Sequence, residues 1–276
     1  MCALEAEEGF ATADDGVRIF FRVTGKGPFA LVMPVNWGMD SYVHGKGLSS
    51  LEFYLAMVTY DPRGVGRSDP PRSPDEYAVD TTARDATRVA DAAGLPRSVV
   101  LGHSDGGAVA LTYALAFPKR VSHLILVSTA TRSTSPSPLG SEGPMPTTEE
   151  AMRERVRVST ARAVRHPGRF DRAMDELLPR MRFSPERLQW ASARAPDADA
   201  LRSRLAEIRV PVLIVHGRED RLVPRAEAQA LHAAIHASTL VVLEDCGHWP
   251  HVEKRTEFVS AVKRFLGLDE RILRSF

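Results

Sequence analysis

Residues 99–107 read Val99-Val100-Leu101-Gly102-His103-Ser104-Asp105-Gly106-Gly107, an apolar run that ends in a serine with glycine two positions to either side. A helical pattern of apolar residues follows at once, and Pro118 ends it. A strand, a tight turn with Gly-X-Ser-X-Gly and a helix together form the arrangement known as a nucleophile elbow. Such a turn holds the serine in a strained conformation beside a helix N-terminus, where N–H groups favour negative charge. The stretch predicts a nucleophilic serine beside an oxyanion site.

Short apolar runs alternate with helical patterns along most of the chain. Besides the run before Ser104, the segments that predict strands are 17–23, 29–33, 57–60, 124–127, 212–215 and 240–243. Alanines at 83, 86, 90 and 93 share one helical face that Gly94 ends, and a last amphipathic helix runs to Leu266. Strands that alternate with helices of about 10–15 residues predict an α/β fold whose mostly parallel sheet has helices on both faces.

A helical segment interrupts this alternation. Residues 147–207 show helical patterns only, and the Ser/Thr/Pro/Gly-rich segment 133–146 before them is typical of a linker. We therefore expect one core domain made of residues 1–132 and 209–276, with a helical cap, or lid, formed by residues 133–208. Such an insert would lie over the carboxyl edge of the sheet, where folds of this class bind their ligands.

Composition limits the classes of partner and location. The 276 residues are 43% hydrophobic and carry a net charge of +1, so we expect no nucleic-acid or membrane partner. The N-terminus lacks the apolar stretch of a signal peptide, and the two cysteines make no disulfide framework. We expect a cytoplasmic monomer or homodimer that acts on a small molecule and uses no metal or organic cofactor.

An acid and a histidine follow later strands. Asp220 comes after the run 212–215, and His248 comes after the run 240–243, so both can meet Ser104 at the carboxyl edge of the sheet. The chain order Ser, Asp, His is typical of one hydrolase architecture. Glu219 is the competing acid, and we prefer Asp220 because it lies deeper in its loop. We interpret three other histidines, at 103, 216 and 251, as structural. His248 and His251 have the spacing of ligands on one helical turn, but two histidines without a third ligand make a weak metal site.

Four motifs in order make the resemblance specific. Gly-His-Ser-Asp-Gly-Gly (102–107), Asp-Pro-Arg-Gly-Val-Gly-Arg-Ser (61–68), His-Gly-Arg-Glu-Asp-Arg-Leu-Val-Pro (216–224) and Gly-His-Trp-Pro (247–250) resemble the α/β-hydrolase family. The resemblance covers essentially the whole chain. It implies Ser104 as nucleophile, His248 as general base and then acid, and Asp220 as the residue that fixes the imidazole tautomer.

The expected oxyanion hole departs from the family pattern. One donor would be the backbone N–H of Asp105, the residue after the nucleophile. The other should come from the loop after 29–33, where many relatives have His-Gly and this chain has Pro34-Val35. By position the second donor is the N–H of Asn36, with Val35 or Trp37 as alternatives if the loop is displaced. We also expect Trp37 to contact the substrate.

Asp105 places a carboxylate where this fold often has an apolar residue. In one interpretation it is an N-terminal helix aspartate that points to solvent. In the other it binds a cationic group of the substrate, because a negative charge about 5 Å from the oxyanion would cost about 3 kcal/mol at an effective dielectric of about 20. The Ser-Asp-Gly-Gly string is similar to that of valacyclovirase-type amino-ester hydrolases, and the loop 61–68 to that of proline-iminopeptidase-like hydrolases.

Several functions remain open at this point. We expect a serine hydrolase that cleaves a carboxylic ester or amide of a small molecule through an acyl-enzyme. The alternatives are an aminopeptidase or amino-acid-ester hydrolase that binds ammonium at Asp105, a lactonase, C–C hydrolase or perhydrolase, and a non-catalytic ligand-binding receptor. An inward-facing arginine in the arginine-rich cap would favour a carboxylate-bearing substrate. An aspartate nucleophile, as in epoxide hydrolases and dehalogenases, is disfavoured by Ser104.

Overall fold

A single eight-stranded sheet lies at the centre of the protein. The structure is a computed structural model, and it describes residues 6–129, 131, 144–193 and 198–268. The strands are β1 (Glu7–Thr12), β2 (Arg18–Thr24), β3 (Phe29–Met33), β4 (Ala56–Tyr60), β5 (Ser98–His103), β6 (Val121–Val127), β7 (Val212–Gly217) and β8 (Ser238–Leu243). Their order across the sheet is β1-β2-β4-β3-β5-β6-β7-β8. The pairs β1–β2 and β2–β4 are antiparallel and the other five are parallel, which confirms the predicted mostly parallel sheet.

Helices cover both faces of this sheet. They are α1 (Tyr42–Gly47), α2 (Val79–Ala92), α3 (Gly106–Ala116), α4 (Glu149–Ala163), α5 (Pro167–Leu177), α6 (Pro185–Ala193), α7 (Ala198–Ser203), α8 (Arg225–Ala234), α9 (Pro250–Glu253) and α10 (Arg255–Leu266). Apolar residues of α2, α3 and α8 pack on one face and those of α10 on the other. Alternate residues of β3 divide accordingly: Leu31 packs with the first group and Ala30 with the second. None of the helices in the described ranges is long and apolar enough to cross a membrane.

The strand β1 is the one element of the sheet that the sequence pattern does not predict. Its residues are mostly exposed, and Ala11 is its one buried side chain. It forms an edge of the sheet, where antiparallel pairing with β2 along all six residues holds it. Phe10 and Phe20 add an edge-to-face ring contact at 5.7 Å. A polar edge strand lacks the hydrophobic signal that identifies buried strands, because only part of one face packs on the core.

The helices α4 to α7 lie between β6 and β7 in the chain and contact the loop after β3. Met39 and Phe183 form an antiparallel bridge, and the Ser184 N–H donates to the Gly38 carbonyl at 2.8 Å. Asp40 and Arg182 add two hydrogen bonds, from the Asp40 N–H to the Arg182 carbonyl and from the Arg182 N–H to Asp40 Oδ2. Most of the predicted linker 133–146 falls outside the described residues. Residues 182–184 of this segment are therefore attached directly to the loop in which we expect an oxyanion donor.

The glycine-rich loop after β4 is held by a buried arginine. Arg63 donates to both carboxylate oxygens of Asp85, at 2.7 and 2.8 Å, and its side chain also bonds Asp15 and Glu76. Arg63 and Asp85 are both buried. Burial raises the pKa of Asp85 above its usual range, although Arg63 acts in the opposite direction. A buried bidentate pair of this kind is costly to break, because the remaining charge loses its partner.

We predict that Arg63→Leu lowers the free energy of unfolding by about 3–5 kcal/mol, because it leaves the buried Asp85 carboxyl without its bidentate partner. The midpoint of thermal unfolding should fall by about 6–20 °C for a chain of this size. Circular dichroism melting curves measure the effect. Arg18→Leu is the control, since the Arg18–Asp69 pair is largely exposed and its loss should leave the midpoint nearly unchanged. Equal midpoints for the two variants would contradict the prediction.

Candidate active site

The turn between β5 and α3 holds Ser104 in a strained conformation. Its φ is 56°, a left-handed value that costs a serine about 1–3 kcal/mol. Two glycines are needed for different reasons: the tight turn brings the start of α3 against Gly102, and Thr129, which follows β6, packs against Gly107. A Cβ on Gly102 would lie 2.5 Å from the Gly106 carbonyl oxygen, and one on Gly107 would lie 2.1 Å from Thr129 Oγ1. The sequence thus folds locally into the predicted elbow, with Ser104 at the end of β5.

Ser104, His248 and Asp220 form a continuous hydrogen-bonded chain. His248 Nε2 lies 3.0 Å from Ser104 Oγ, and His248 Nδ1 lies 2.8 Å from Asp220 Oδ2. An ionised carboxylate can only accept, so Nδ1 carries the hydrogen and Nε2 is free to accept from the serine hydroxyl. The three residues follow β5, β8 and β7, and they meet at the carboxyl edge of the sheet. This arrangement can transfer a proton from the serine to the imidazole as a new bond forms.

The surroundings of Asp220 keep it ionised. Its other oxygen, Oδ1, accepts the backbone N–H groups of Leu222 and Val223, each at 2.9 Å. Burial alone would raise the pKa of Asp220, but His248 and these hydrogen bonds hold it below its usual value. His216 lies 3.6 Å from Asp220 Oδ2 and bonds the Val223 carbonyl through Nε2. Burial lowers the pKa of His216, so it stays neutral beside the acid.

Two glutamates position the loop that carries His248. Glu219, the competing candidate acid, accepts the backbone N–H of Cys246 at 2.9 Å. Glu253 accepts the N–H groups of Gly247 and Trp249 at 3.0 and 3.1 Å. These roles were not predicted, because a glutamate near a histidine motif cannot be told from a surface residue until the loop folds around it.

A group of histidines packs behind His248. The His103 ring donates through Nε2 to the His248 backbone carbonyl at 2.9 Å and lies 4.6 Å from the Trp249 ring. His44 and His251 are also buried near it, and burial lowers their pKa values to about 4 and about 3. All three are therefore neutral at physiological pH. No metal-binding group of three or more His, Cys, Asp or Glu side chains occurs among the described residues.

The Asp105 carboxylate is buried and turns toward Asn36. The Asn36 N–H, an expected oxyanion donor, donates to Asp105 Oδ2 at 2.7 Å. Asp105 Oδ1 is buried and has no hydrogen-bond partner in the described part of the chain. The interpretation in which this aspartate points to solvent is wrong, because the loop after β3 folds over the start of α3. Trp37 is half-buried at the edge of the apolar cluster between this loop and the cap.

Arg187 of α6 reaches from the cap into the site. Its side chain is fully buried and donates to Asn36 Oδ1, to Thr82 Oγ1 at 2.9 Å and to the Arg63 carbonyl at 3.0 Å. Burial lowers the pKa of Arg187 to about 10, so it remains a cation at neutral pH. Within the described residues its Nε has no hydrogen-bond partner. The nearby carboxyl groups of Asp105 and Asp85 favour the charged form of Arg187, but its hydrogen-bond partners in the described part of the chain are neutral. A buried cation with such partners is a potential binding site for a further anion.

Comparisons with known proteins identify hydrolases that are similar to this chain in sequence or in fold. A family model described as alpha/beta hydrolase fold matches residues 48–255, more than half of the chain. A 2-hydroxy-6-oxo-2,4-heptadienoate hydrolase from Pseudomonas putida is 28% identical, over 98% of this chain and all of that protein. Serine hydrolase BPHL from Homo sapiens is 28% identical, over 92% of this chain and 84% of its own. The structure of the esterase RhEst1 from Rhodococcus sp. is 26% identical with a TM-score of 0.75, over 94% and 98% of the two chains.

We predict that Ser104→Ala and His248→Ala each lower kcat for a p-nitrophenyl ester by about four to six orders of magnitude, because they remove the nucleophile or the base. Asp220→Asn should cost about 10⁴-fold, since it favours the wrong imidazole tautomer. Steady-state kinetics measure these losses. Glu219→Gln is the matched control: the amide oxygen of glutamine can still accept the Cys246 N–H that positions the loop, while the acid bonded to His248 Nδ1 is Asp220, so the loss should be much smaller. Equal losses for Asp220→Asn and Glu219→Gln would contradict the assignment.

Proposed function

Since the chain belongs to the α/β-hydrolase family and is a serine hydrolase of that fold, we propose that it cleaves a carboxylic ester of a small molecule through Ser104, His248 and Asp220. The observation that carries this proposal is the unbroken hydrogen-bonded chain from Ser104 Oγ to Asp220. The fold of the esterase from Rhodococcus supports the choice of an ester. No step of the proposed reaction needs a metal or an organic cofactor.

The reaction would proceed through an acyl-enzyme. Ser104 Oγ attacks the substrate carbonyl while His248 Nε2 takes its proton, and Asp220 stabilises the imidazolium that forms. The tetrahedral oxyanion would be held by the N–H groups of Asp105 and Asn36. His248 then protonates the leaving alcohol, and the same imidazole activates a water that hydrolyses the acyl-enzyme.

We infer that residues 133–208 act as a cap over this site. The cap contacts the expected oxyanion loop through the Met39–Phe183 bridge and through Arg187. Apolar cap side chains such as Met152 and Phe170 also pack in one cluster with Trp249, the neighbour of His248. Such a cap would exclude water from the acyl transfer and shape the pocket for the substrate.

A carbon–carbon bond hydrolase acting on a carboxylate-bearing substrate is the second candidate. The observation that favours it is Arg187, a buried cation whose hydrogen-bond partners among the described residues are all neutral. The name of the relative from Pseudomonas putida describes a hydrolase of an oxo-dienoate, which is a carboxylate. The same three residues would serve a lactone or a perhydrolysis reaction, and no particular contact favours either of these.

An amino-ester or aminopeptidase activity also remains a proposal. It would use the Asp105 carboxylate to bind the substrate ammonium, close to Ser104. In this structure the carboxylate is bonded to the Asn36 N–H, so an ammonium group would have to reach the unpartnered oxygen or displace that bond.

We predict that a fluorophosphonate probe labels the wild-type protein and not Ser104→Ala, because only an activated serine attacks phosphorus at a useful rate. Labelling is measured by fluorescence after gel electrophoresis. A folded wild-type protein that stays unlabelled would favour the receptor alternative.

A panel of p-nitrophenyl acyl esters, lactones and aminoacyl amides then defines the substrate. Equal kcat/KM for an alanyl ester and its des-amino counterpart would remove the ammonium hypothesis.

Arg187→Gln provides the test for a carboxylate-bearing substrate. The quantity to compare is kcat/KM for p-nitrophenyl succinate divided by kcat/KM for p-nitrophenyl butyrate. If Arg187 binds a carboxylate, this ratio should be about 10–100-fold lower in the variant than in the wild type, because one charge-assisted hydrogen bond is lost. A ratio of two substrates is independent of the folded fraction of the variant. Arg157→Gln is the matched control, because Arg157 is a cap arginine paired with Asp175 at the surface. An unchanged ratio in Arg187→Gln would exclude this role.

A further inference from the structure

One of the two N–H groups expected to bind the oxyanion, that of Asn36, already donates to the carboxylate of Asp105. The Asn36 N–H donates to Oδ2 at 2.7 Å. Hydrogen bonding from the backbone N–H of Asp105 itself also favours the ionised carboxylate, which lowers its pKa. In the reaction these two donors should instead point at the oxygen of the tetrahedral intermediate. A carboxylate oxygen therefore already accepts the Asn36 N–H that the substrate oxyanion is expected to use.

The position of this carboxylate is not explained by a structural role in α3. Asp105 is the N-cap residue of that helix, yet its side chain accepts no hydrogen bond from the first turn. Its second oxygen is buried without a partner in the part of the chain described, which is unfavourable for an anion. The hydrogen bond that its other oxygen accepts comes from the Asn36 N–H, an expected donor of the oxyanion hole.

We propose that the Asp105 carboxylate is an internal occupant of the oxyanion hole, which competes with the substrate oxyanion for the Asn36 N–H group. The proposal rests on the proposed acyl transfer by Ser104. Its consequence is that turnover of an uncharged ester requires Asp105 to be neutral or withdrawn. Asp105 thereby determines at which pH, and with which substrates, the Asn36 N–H is available to the substrate oxyanion.

The groups around Asp105 place its titration near neutrality. Arg187 from the cap and His248 from the loop after β8 both favour the ionised form, as do the two N–H groups. Burial is the larger effect and raises the pKa of Asp105 to about 7. Below that pH the carboxyl is neutral and a weaker acceptor, so it releases the donors more readily. Above that pH the anion both occupies the hole and repels a developing oxyanion.

The two roles considered for the Asp105 carboxylate, occupying the oxyanion hole and binding a substrate ammonium, predict different effects of Asp105→Ala on activity. If Asp105 only binds a substrate ammonium, Asp105→Ala should lower activity toward an alanyl ester and leave the propionyl ester unchanged. If the carboxylate occupies the hole, the same variant should gain activity toward the propionyl ester. The sign of the change on the uncharged substrate therefore separates the two roles.

The test is the pH profile of kcat/KM for p-nitrophenyl propionate between pH 6 and 8.5. In the wild type, activity should fall on the alkaline side, because at pH 8 about one tenth of a group that titrates at about 7 is still neutral. Asp105→Ala should be about tenfold more active than the wild type at pH 8 and similar to it at pH 6. Asp105→Asn, which cannot ionise, should also lack the alkaline fall.

Asp40→Asn is the matched control. Asp40 is a second buried carboxyl whose pKa burial raises to about 7, and it bonds the Arg182 N–H in the same loop region. It contacts neither donor of the hole, so this variant should keep the alkaline fall. A wild-type profile without that fall, or an Asp105→Ala variant slower than the wild type at pH 8, would overturn the proposal.

Inhibition by phenylboronic acid at pH 8 gives a second measurement, because it forms a tetrahedral adduct on an activated serine. The inhibition constant should be about tenfold lower in Asp105→Ala than in the wild type if the occupant is removed. Equal constants would contradict the occupied hole and leave the serine mechanism intact. A lack of inhibition and of fluorophosphonate labelling in every variant would instead refute the proposed function itself.

Discussion

Parallel pairing of β5, β6, β7 and β8 is the constraint on which the site depends. Parallel strands end at the same edge of a sheet, so the residues that follow β5, β7 and β8 meet although about 140 positions separate Ser104 from His248. The parallel arrangement of these strands thus brings together residues that no local motif could bring together. The loops that complete the site are then held by partly buried hydrogen bonds, above all those of Glu219 and Glu253 to the backbone around His248.

Two carboxyl groups in the site have pKa values shifted in opposite directions, although burial raises the pKa of both. Asp220 has two backbone N–H groups and an imidazole as partners, and its pKa lies below the usual value. Asp105 has one unpartnered oxygen, and its pKa is raised to about 7. The difference comes from the number of donors that replace water at each carboxylate. An acid required to stay charged and an acid able to titrate can therefore lie within one active site.

The segment that we propose as a cap is hydrogen-bonded to the expected oxyanion loop. Arg187 bonds the side chain of Asn36, whose backbone N–H bonds Asp105, so a cap residue is linked through one asparagine to the residue after the nucleophile. The bridge between Met39 and Phe183 adds a second connection. Because of these contacts, a change in the cap sequence would alter both the substrate pocket and the geometry of the expected oxyanion donors. Specificity and catalysis would then be coupled through the same few hydrogen bonds.

Sequence alone determined the α/β architecture, the elbow at Ser104 and the preference for Asp220 over Glu219, which contacts Cys246 while Asp220 contacts His248. These features depend on local periodicity, on glycine spacing and on the order of motifs, all of which can be read along the chain. The edge strand β1, the burial of Arg187 and the turn of Asp105 toward Asn36 were decided by tertiary structure. Each depends on contacts with a segment that is distant in the chain. The sequence around a polar side chain is the same whether that side chain faces water or a buried hydrogen-bond donor.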